Sequence, residues 1–144
     1  MKINNRRGGI DMFFTTNIGI FLIMLALHIF SDFNLQGWLS QSKQKDYWLD
    51  IFPNMEDKKD KSTMYRNDYK CCLLVHSLLW TFMIMLPAFI CSTNRVSILI
   101  VVYIINTILH YIIDDLKANE KTINLIDDQI VHIVQLLFTL ILCF

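Results

Sequence analysis

Glycine and proline are scarce in this 144-residue chain, four and two respectively, and charged residues make up only 18% of it. With so few helix breakers, the discontinuous helices that transporters use to bind substrate at mid-membrane have little to form from; Pro87 alone interrupts an apolar segment. Thirteen basic residues balance thirteen acidic ones, so there is no net charge to attract nucleic acid. Glycine-rich phosphate loops, dinucleotide fingerprints and nucleophile elbows are absent. The four cysteines form no C-x-x-C pair and read as packing residues, although the adjacent Cys71 and Cys72 leave palmitoylation open.

What is abundant is apolar. Hydrophobic residues reach 54% and the mean hydropathy is +0.41, values of an integral membrane protein rather than of a small soluble domain. Four segments approach the roughly 20 residues needed to cross a bilayer: Met12 to Phe33, Cys71 to Cys91, Val96 to Ile113 and Ile123 to Phe144. The first has no small-residue cleavage site and reads as a retained helix after an N-terminal tail, 1–11. The fourth is marginal, because Asp127 and Asp128 precede its continuous apolar part. A polar insert, 37–70, separates the first two. Its first part, with Trp38, Leu39, Tyr47, Trp48, Ile51 and Phe52 among lysines, suits an amphipathic helix at headgroup depth before the break at Pro53, and Glu56 to Lys61 reads as a solvated turn. The other connections are short, so consecutive helices are antiparallel neighbours, and the expected fold is an all-α, four-helix up-and-down membrane bundle in a single domain, 12–144.

Nine basic residues fall in the insert and third connection and four in the N-terminus and second connection, which places the insert on the cytoplasmic side. All four histidines lie in apolar segments, and three stand four residues from an aspartate: His28 with Asp32, His110 with Asp114, His132 with Asp128. On a helix each such pair shares a face. In an up-and-down bundle, His28 and Asp32, His76, His110 and Asp114, and Asp128 and His132 all fall at the same mouth. The chain also reads as two hairpins, Met12 to Cys91 and Val96 to Phe144, related as an imperfect repeat in which Cys72 stands where Asp128 would.

One histidine in an apolar helix is ordinarily a packed residue with a hydrogen-bonded neighbour. Four histidines and three aspartates at one mouth demand compensation for their charge in low dielectric. Imidazole with carboxylate suits zinc, manganese or iron, as one ion or as two sharing a carboxylate. The expected ligands are therefore His28, Asp32, His76, His110, Asp114, Asp128 and His132. Gln36, Asn106 and Gln129 are expected to hydrogen-bond to them. Asp115 and Asp127 point about 100° off the faces of their neighbours and read as interfacial. Lys117 is the candidate for holding an anionic group, with Lys43 a second one placed by its loop.

The residues His28-x-x-x-Asp32-Phe33-x-Leu35-Gln36, His76, His110-x-x-x-Asp114-x-x-Lys117 and Asp128-Gln129-x-x-His132 together resemble the small bacterial and phage membrane proteins grouped as domain of unknown function 3307. The likeness runs from the first helix to the fourth. It implies the membrane fold and the residue set, and no reaction.

Three functions follow from the residues. A metal-dependent hydrolase at the cytoplasmic membrane face would use the metal to acidify a bound water, with Asp32, Asp114 and Lys117 as catalytic groups, on a lipid headgroup or other anionic phosphoester. A non-catalytic accessory or regulatory protein would use the cluster only to pin the bundle. An ion or proton-coupled transporter is the third. No nucleic-acid partner is expected.

Overall fold

The computed structural model describes residues 16–50, 65–92 and 95–144. The expected tail, the start of the first helix before Thr16, the Pro53 break, the Glu56 to Lys61 turn, and Thr93 and Asn94 lie outside these residues. The described chain is helical, without strands.

Helix α1, Asn17–Ile29, opens on Thr16, whose hydroxyl accepts from the Gly19 N–H at 3.2 Å. It continues into a π turn, Phe30–Asn34, closed by the Leu35 N–H on the Phe30 carbonyl at 3.1 Å. After Gly37, whose φ of +45° costs little without a Cβ, come two short helices, α2 (Leu39–Ser42) and α3 (Lys45–Asp50). The long helices α4 (Asp68–Cys91), α5 (Val96–Ala118) and α6 (Leu125–Cys143) follow. Helix α5 runs past the expected end at Ile113, so Asp114 and Lys117 stay in helical register. The acidic start of α6 is a proper N-terminus: the Asn124 side chain accepts from the Ile126 and Asp127 N–H groups, and Asp127 and Asp128 sit where the helix dipole favours negative charge.

Each long helix packs on the next, and α6 closes back on α1, giving the up-and-down bundle. All four, counting α1 with its π turn, are long and apolar enough to cross a membrane. Their outer faces carry exposed Ile18, Leu22, Phe30, Ile98, Val101, Ile112, Ile126, Val134 and Ile141. Among the described residues, sixteen of the buried side chains are polar or charged and thirteen apolar. Such an apolar exterior around a polar interior is the reverse of a water-soluble domain and fits a lipid surround.

The interior is layered along its length. From the end where α1 begins, Ile20, Met24, Ile84, Met85, Ala88, Leu99, Val102, Leu136 and Cys143 form an apolar plug capped by Trp80. Above Trp80 the interior turns polar. Over that polar end lies the first part of the insert, expected as one amphipathic helix and found as two short ones broken at Lys43 and Gln44. Asn119 clamps the break, donating to the Lys43 carbonyl (3.1 Å) and accepting from the Lys45 N–H (2.8 Å), while Trp48 donates to the Ser42 carbonyl (2.7 Å). The rings of Trp38, Tyr47 and Trp48 pack edge-on at 5.7–6.5 Å, and Trp48 stacks on Tyr65.

Leu136 is fully buried in the plug, whereas its neighbour Leu137 is 43% exposed on the outer face. Leu136→Ala is expected to cost about 2–5 kcal/mol through lost contacts and a cavity, and Leu137→Ala less than about 0.5 kcal/mol. Thermal unfolding of both variants in detergent tests this division of inside from outside.

Candidate metal centre

The polar layer repeats every three to four residues on all four helices, so each helix turns one stripe inward. Helix α1 with its π turn contributes His28, Asp32 and, just beyond, Gln36; α4 contributes His76 and Trp80; α5 contributes Asn106, His110 and Asp114; α6 contributes Asp128, His132 and Gln135. The four histidines and three aspartates are all buried, the most exposed being Asp32 at 8%. Residues more than a hundred positions apart therefore converge at one end of the bundle, as their spacing predicts.

Asp114 stands at the centre. Its Oδ2 lies 3.1 Å from His76 Nε2 and 3.7 Å from His110 Nε2, and its Oδ1 lies 3.9 Å from His132 Nε2. His76 and His110 bring their Nε2 atoms within 3.1 Å of each other, and His76 Nε2 is 3.6 Å from Asp32 Oδ1. On the other side His132 Nε2 is 3.2 Å from Asp128 Oδ1. Three sets, Asp32 with His76 and His110, His110 with Asp114 and His132, and Asp32 with Asp128 and His132, each keep their donor atoms within 4.8 Å of one another. Ligands about 2.0–2.1 Å from one ion at tetrahedral angles stand about 3.3 Å apart, a spacing that the 3.1–3.2 Å separations approach and the others exceed.

Separation alone does not distinguish a metal shell from hydrogen bonds, and His132 is the ring whose orientation its neighbours fix most clearly. Gln135 Nε2 donates to the Asn106 carbonyl at 3.3 Å, and that carbonyl can only accept. The amide orientation is thereby set, so Gln135 Oε1, 3.0 Å from His132 Nδ1, must accept the Nδ1 proton. His132 then points Nε2 at Asp128 Oδ1, yet despite the 3.2 Å separation neither atom has a hydrogen-bond partner, because their angle suits none. Nε2 thus faces carboxylate oxygens of Asp128 and Asp114 at 3.2 and 3.9 Å. Positive charge here, as a proton on Nε2 or as a bound cation, would satisfy both oxygens, and a histidine whose far nitrogen donates to a neutral acceptor has an orientation compatible with metal binding. His110 Nδ1 also lacks a partner.

His28, expected as a ligand, is engaged elsewhere. Its Nδ1 accepts from Trp80 Nε1 at 2.9 Å and its Nε2 faces Gln129 Oε1 at 3.1 Å, which uses both ring nitrogens. What His28 does is orient Gln129, whose Nε2 donates to Asp32 Oδ2 (3.1 Å) and Asp128 Oδ2 (3.0 Å). Gln36 donates to Asp32 Oδ1 at 3.3 Å. Gln129 and Gln36 thus hold carboxylates as expected, whereas Asn106 lies one layer deeper, donating to Thr139 and reaching the site only through Gln135. Asp127 is exposed, and Asp115 accepts from Asn119 at 2.7 Å; both stand apart from the cluster.

Two lysines complete the charge. Lys117 Nζ is 2.5 Å from Asp128 Oδ2, and Lys43 Nζ is 2.6 Å from Asp114 Oδ2. Lys43 is buried at 7% exposure, which makes it the more deeply committed of the pair although it comes from the insert. Both border a cavity of about 360 Å³ at the mouth, lined also by Asp32, Gln36, Asp114 and Gln129.

Trp80 carried no signal of its own, yet it is the floor of the centre. Its ring stacks on His110 (centroids 4.0 Å, 14°), tilts against His132 (5.1 Å) and meets His28 edge-on (5.6 Å). The clue was available in register, since Trp80 stands four residues after His76. Lys43 had no such clue, because a loop residue's depth is not encoded by helical spacing.

Replacing Gln135 by Leu removes the acceptor of the His132 Nδ1 proton inside the bundle. Gln135→Leu is expected to lower stability by about 1–3 kcal/mol, with a shift of the His132 Nδ1–H signal in 15N-histidine NMR. No protein-family model, curated protein or solved structure matches this chain, so the likeness to domain of unknown function 3307 rests on the motif residues alone.

Proposed function

We propose that the chain is a membrane-embedded, metal-dependent hydrolase acting on a phosphoester-type group, such as a lipid headgroup, at the cytoplasmic face of a bacterial membrane. The observation that carries this reading is the convergence of His76, His110, His132, Asp32, Asp114 and Asp128 on common points, with His132 Nε2 and Asp128 Oδ1 facing each other without a hydrogen bond. Zinc, manganese or iron fits this mixture of imidazole and carboxylate. Asp32 with His76 and His110, His110 with Asp114 and His132, and Asp32 with Asp128 and His132 are the sets that would hold such an ion.

A divalent ion there would supply a water acidic enough to attack at neutral pH. The chain's own residues would do the rest. Asp32 lines the cavity and would serve there as a proton acceptor, with Gln36 and Gln129 keeping its carboxylate aimed. Lys43 and Lys117 border the cavity where an anionic group would enter. Trp80 and the apolar plug close the centre from the opposite end, leaving the mouth as the side open to substrate and water. The exposed Trp38 and the neighbouring Tyr47 suit headgroup depth, which supports a lipid headgroup as substrate at that mouth. The bacterial or phage origin and the cytoplasmic orientation rest on the motif resemblance and on the distribution of lysine and arginine.

A second reading has its own support: with Lys43 on Asp114 and Lys117 on Asp128, two of the three carboxylates are already neutralised, as a purely structural ionic cluster requires. A transporter gains nothing comparable, since beyond Trp80 the described interior is closed by the packed apolar cluster of Met24, Ile84, Met85 and Leu136, with Asn106 and Thr139 bonded to each other.

Metal content separates the two supported readings. Detergent-purified wild type, reconstituted with zinc, manganese or iron, is expected to retain about one or two equivalents. His110→Ala and His132→Ala are expected to lose most of that metal and all phosphoesterase activity while remaining folded. A wild type that retains no metal leaves the structural cluster.

A further inference from the structure

Both lysines of the centre hold its carboxylates, and Lys43 occupies the very oxygen that faces the histidines. Lys43 Nζ is 2.6 Å from Asp114 Oδ2, the same oxygen that faces His76 Nε2 at 3.1 Å and His110 Nε2 at 3.7 Å. Lys117 Nζ is held by Asp128 Oδ2, across the carboxylate from the oxygen facing His132. An ammonium and a divalent ion cannot both take the inner oxygen of Asp114 at close range without strong repulsion.

We propose that Lys43 and Lys117 are exchangeable counter-cations: metal entry displaces Lys43 from Asp114 and loosens Lys117 from Asp128, and the two freed ammoniums then bind a phosphoryl group in the mouth cavity. This builds on the hydrolase reading by ordering its steps and naming what the cavity holds. Metal binds first, phosphoryl second.

The surroundings make the exchange a side-chain event. The Lys43 backbone is pinned from both sides by Asn119 and the preceding Ser42 carbonyl is held by Trp48, so α2 and α3 stay in place while the four-carbon stem turns. The cavity that would receive the ammonium adjoins both lysines, and Ser40, Gln36, Gln44 and Gln129 supply neutral hydrogen-bonding groups along its wall. Its volume of about 360 Å³ accommodates a phosphoryl group with part of its ester. Before exchange the cavity holds the carboxylates of Asp32 and Asp114 beside lysines already paired, which disfavours an anion. After exchange the same walls carry two unpaired ammoniums beside a metal. Phosphoryl affinity is thereby conditional on metal, and by linkage metal affinity is conditional on phosphoryl.

The test uses the full-length protein in a neutral detergent, with zinc or manganese alone, inorganic phosphate, and mixed micelles containing phosphatidic acid as probes. In the wild type, metal loading is expected to tighten phosphate binding at least about tenfold, a coupling within the usual range for linked sites. Lys43→Gln removes the competing cation and is expected to bind metal about tenfold more tightly while binding phosphate more weakly in the loaded form. Displacement of phosphate by phosphatidic acid at lower concentration identifies a lipid headgroup as the source, and its failure to compete identifies a soluble phosphate ester. Phosphate binding equally well with and without metal overturns the proposal, as does metal affinity unchanged or weakened in a folded Lys43→Gln. Should Lys43→Gln fail to fold, the wild-type coupling and the same measurements on Lys117→Gln decide. Metal uptake without any coupling leaves the hydrolase reading standing and removes only this ordering, whereas no uptake at all removes both.

Discussion

Three carboxylates buried in a bundle surrounded by hydrocarbon must find positive charge inside the bundle, and the rest of the structure is arranged around that requirement. Water cannot screen Asp114 or Asp128, which are 1% and 0% exposed, and lipid offers them nothing. Each is therefore met by an ammonium, by imidazole nitrogens, or by both. The requirement reaches outward from there. It calls Lys43 in from the insert, fixes Gln129 between two carboxylates, and assigns His28 to steadying Gln129 rather than to the centre itself.

The layering of the interior separates two jobs that compete in a membrane bundle. The plug around Met24, Ile84 and Leu136 supplies close apolar packing, and Trp80 ends it with a ring large enough to support three imidazoles at once. Its indole N–H is the only polar group it offers to that layer, and His28 takes it. One side chain thus seals the polar end from the apolar end and sets the tautomer of a histidine. Deeper still, Asn106 and Gln135 pass a similar constraint from a backbone carbonyl to His132, so the direction of a ring nitrogen at the centre is decided by a helix carbonyl outside it.

The four helices and the convergence of His76, His110, Asp114, Asp128 and His132 were legible because helical periodicity and membrane length are local properties of sequence. The depth of Lys43 was not, since it depends on how the insert folds back over the bundle and on the Asn119 clamp at the end of α5. Nor was the partnership of His28, because spacing says which face a histidine occupies and not which neighbour claims its nitrogens. The expected single amphipathic helix became two, with Lys43 at the break, where an uninterrupted helix would have carried the backbone past Asn119. The π turn after Ile29 was equally invisible, because Phe30–Asn34 has no glycine or proline to announce it.

Because the centre draws on all four long helices, neither half of the chain contains it. The hairpin made first during synthesis, α1 with α4, carries Asp32 and His76 but lacks the partners that α5 and α6 bring. Within that hairpin Asp32 has only His76 and Gln36 to meet it, and Gln129 is still missing. A truncated or mispaired chain would leave aspartates of the centre without the partners that the complete bundle supplies, so the same residues that build the centre tie its formation to completion of all four helices.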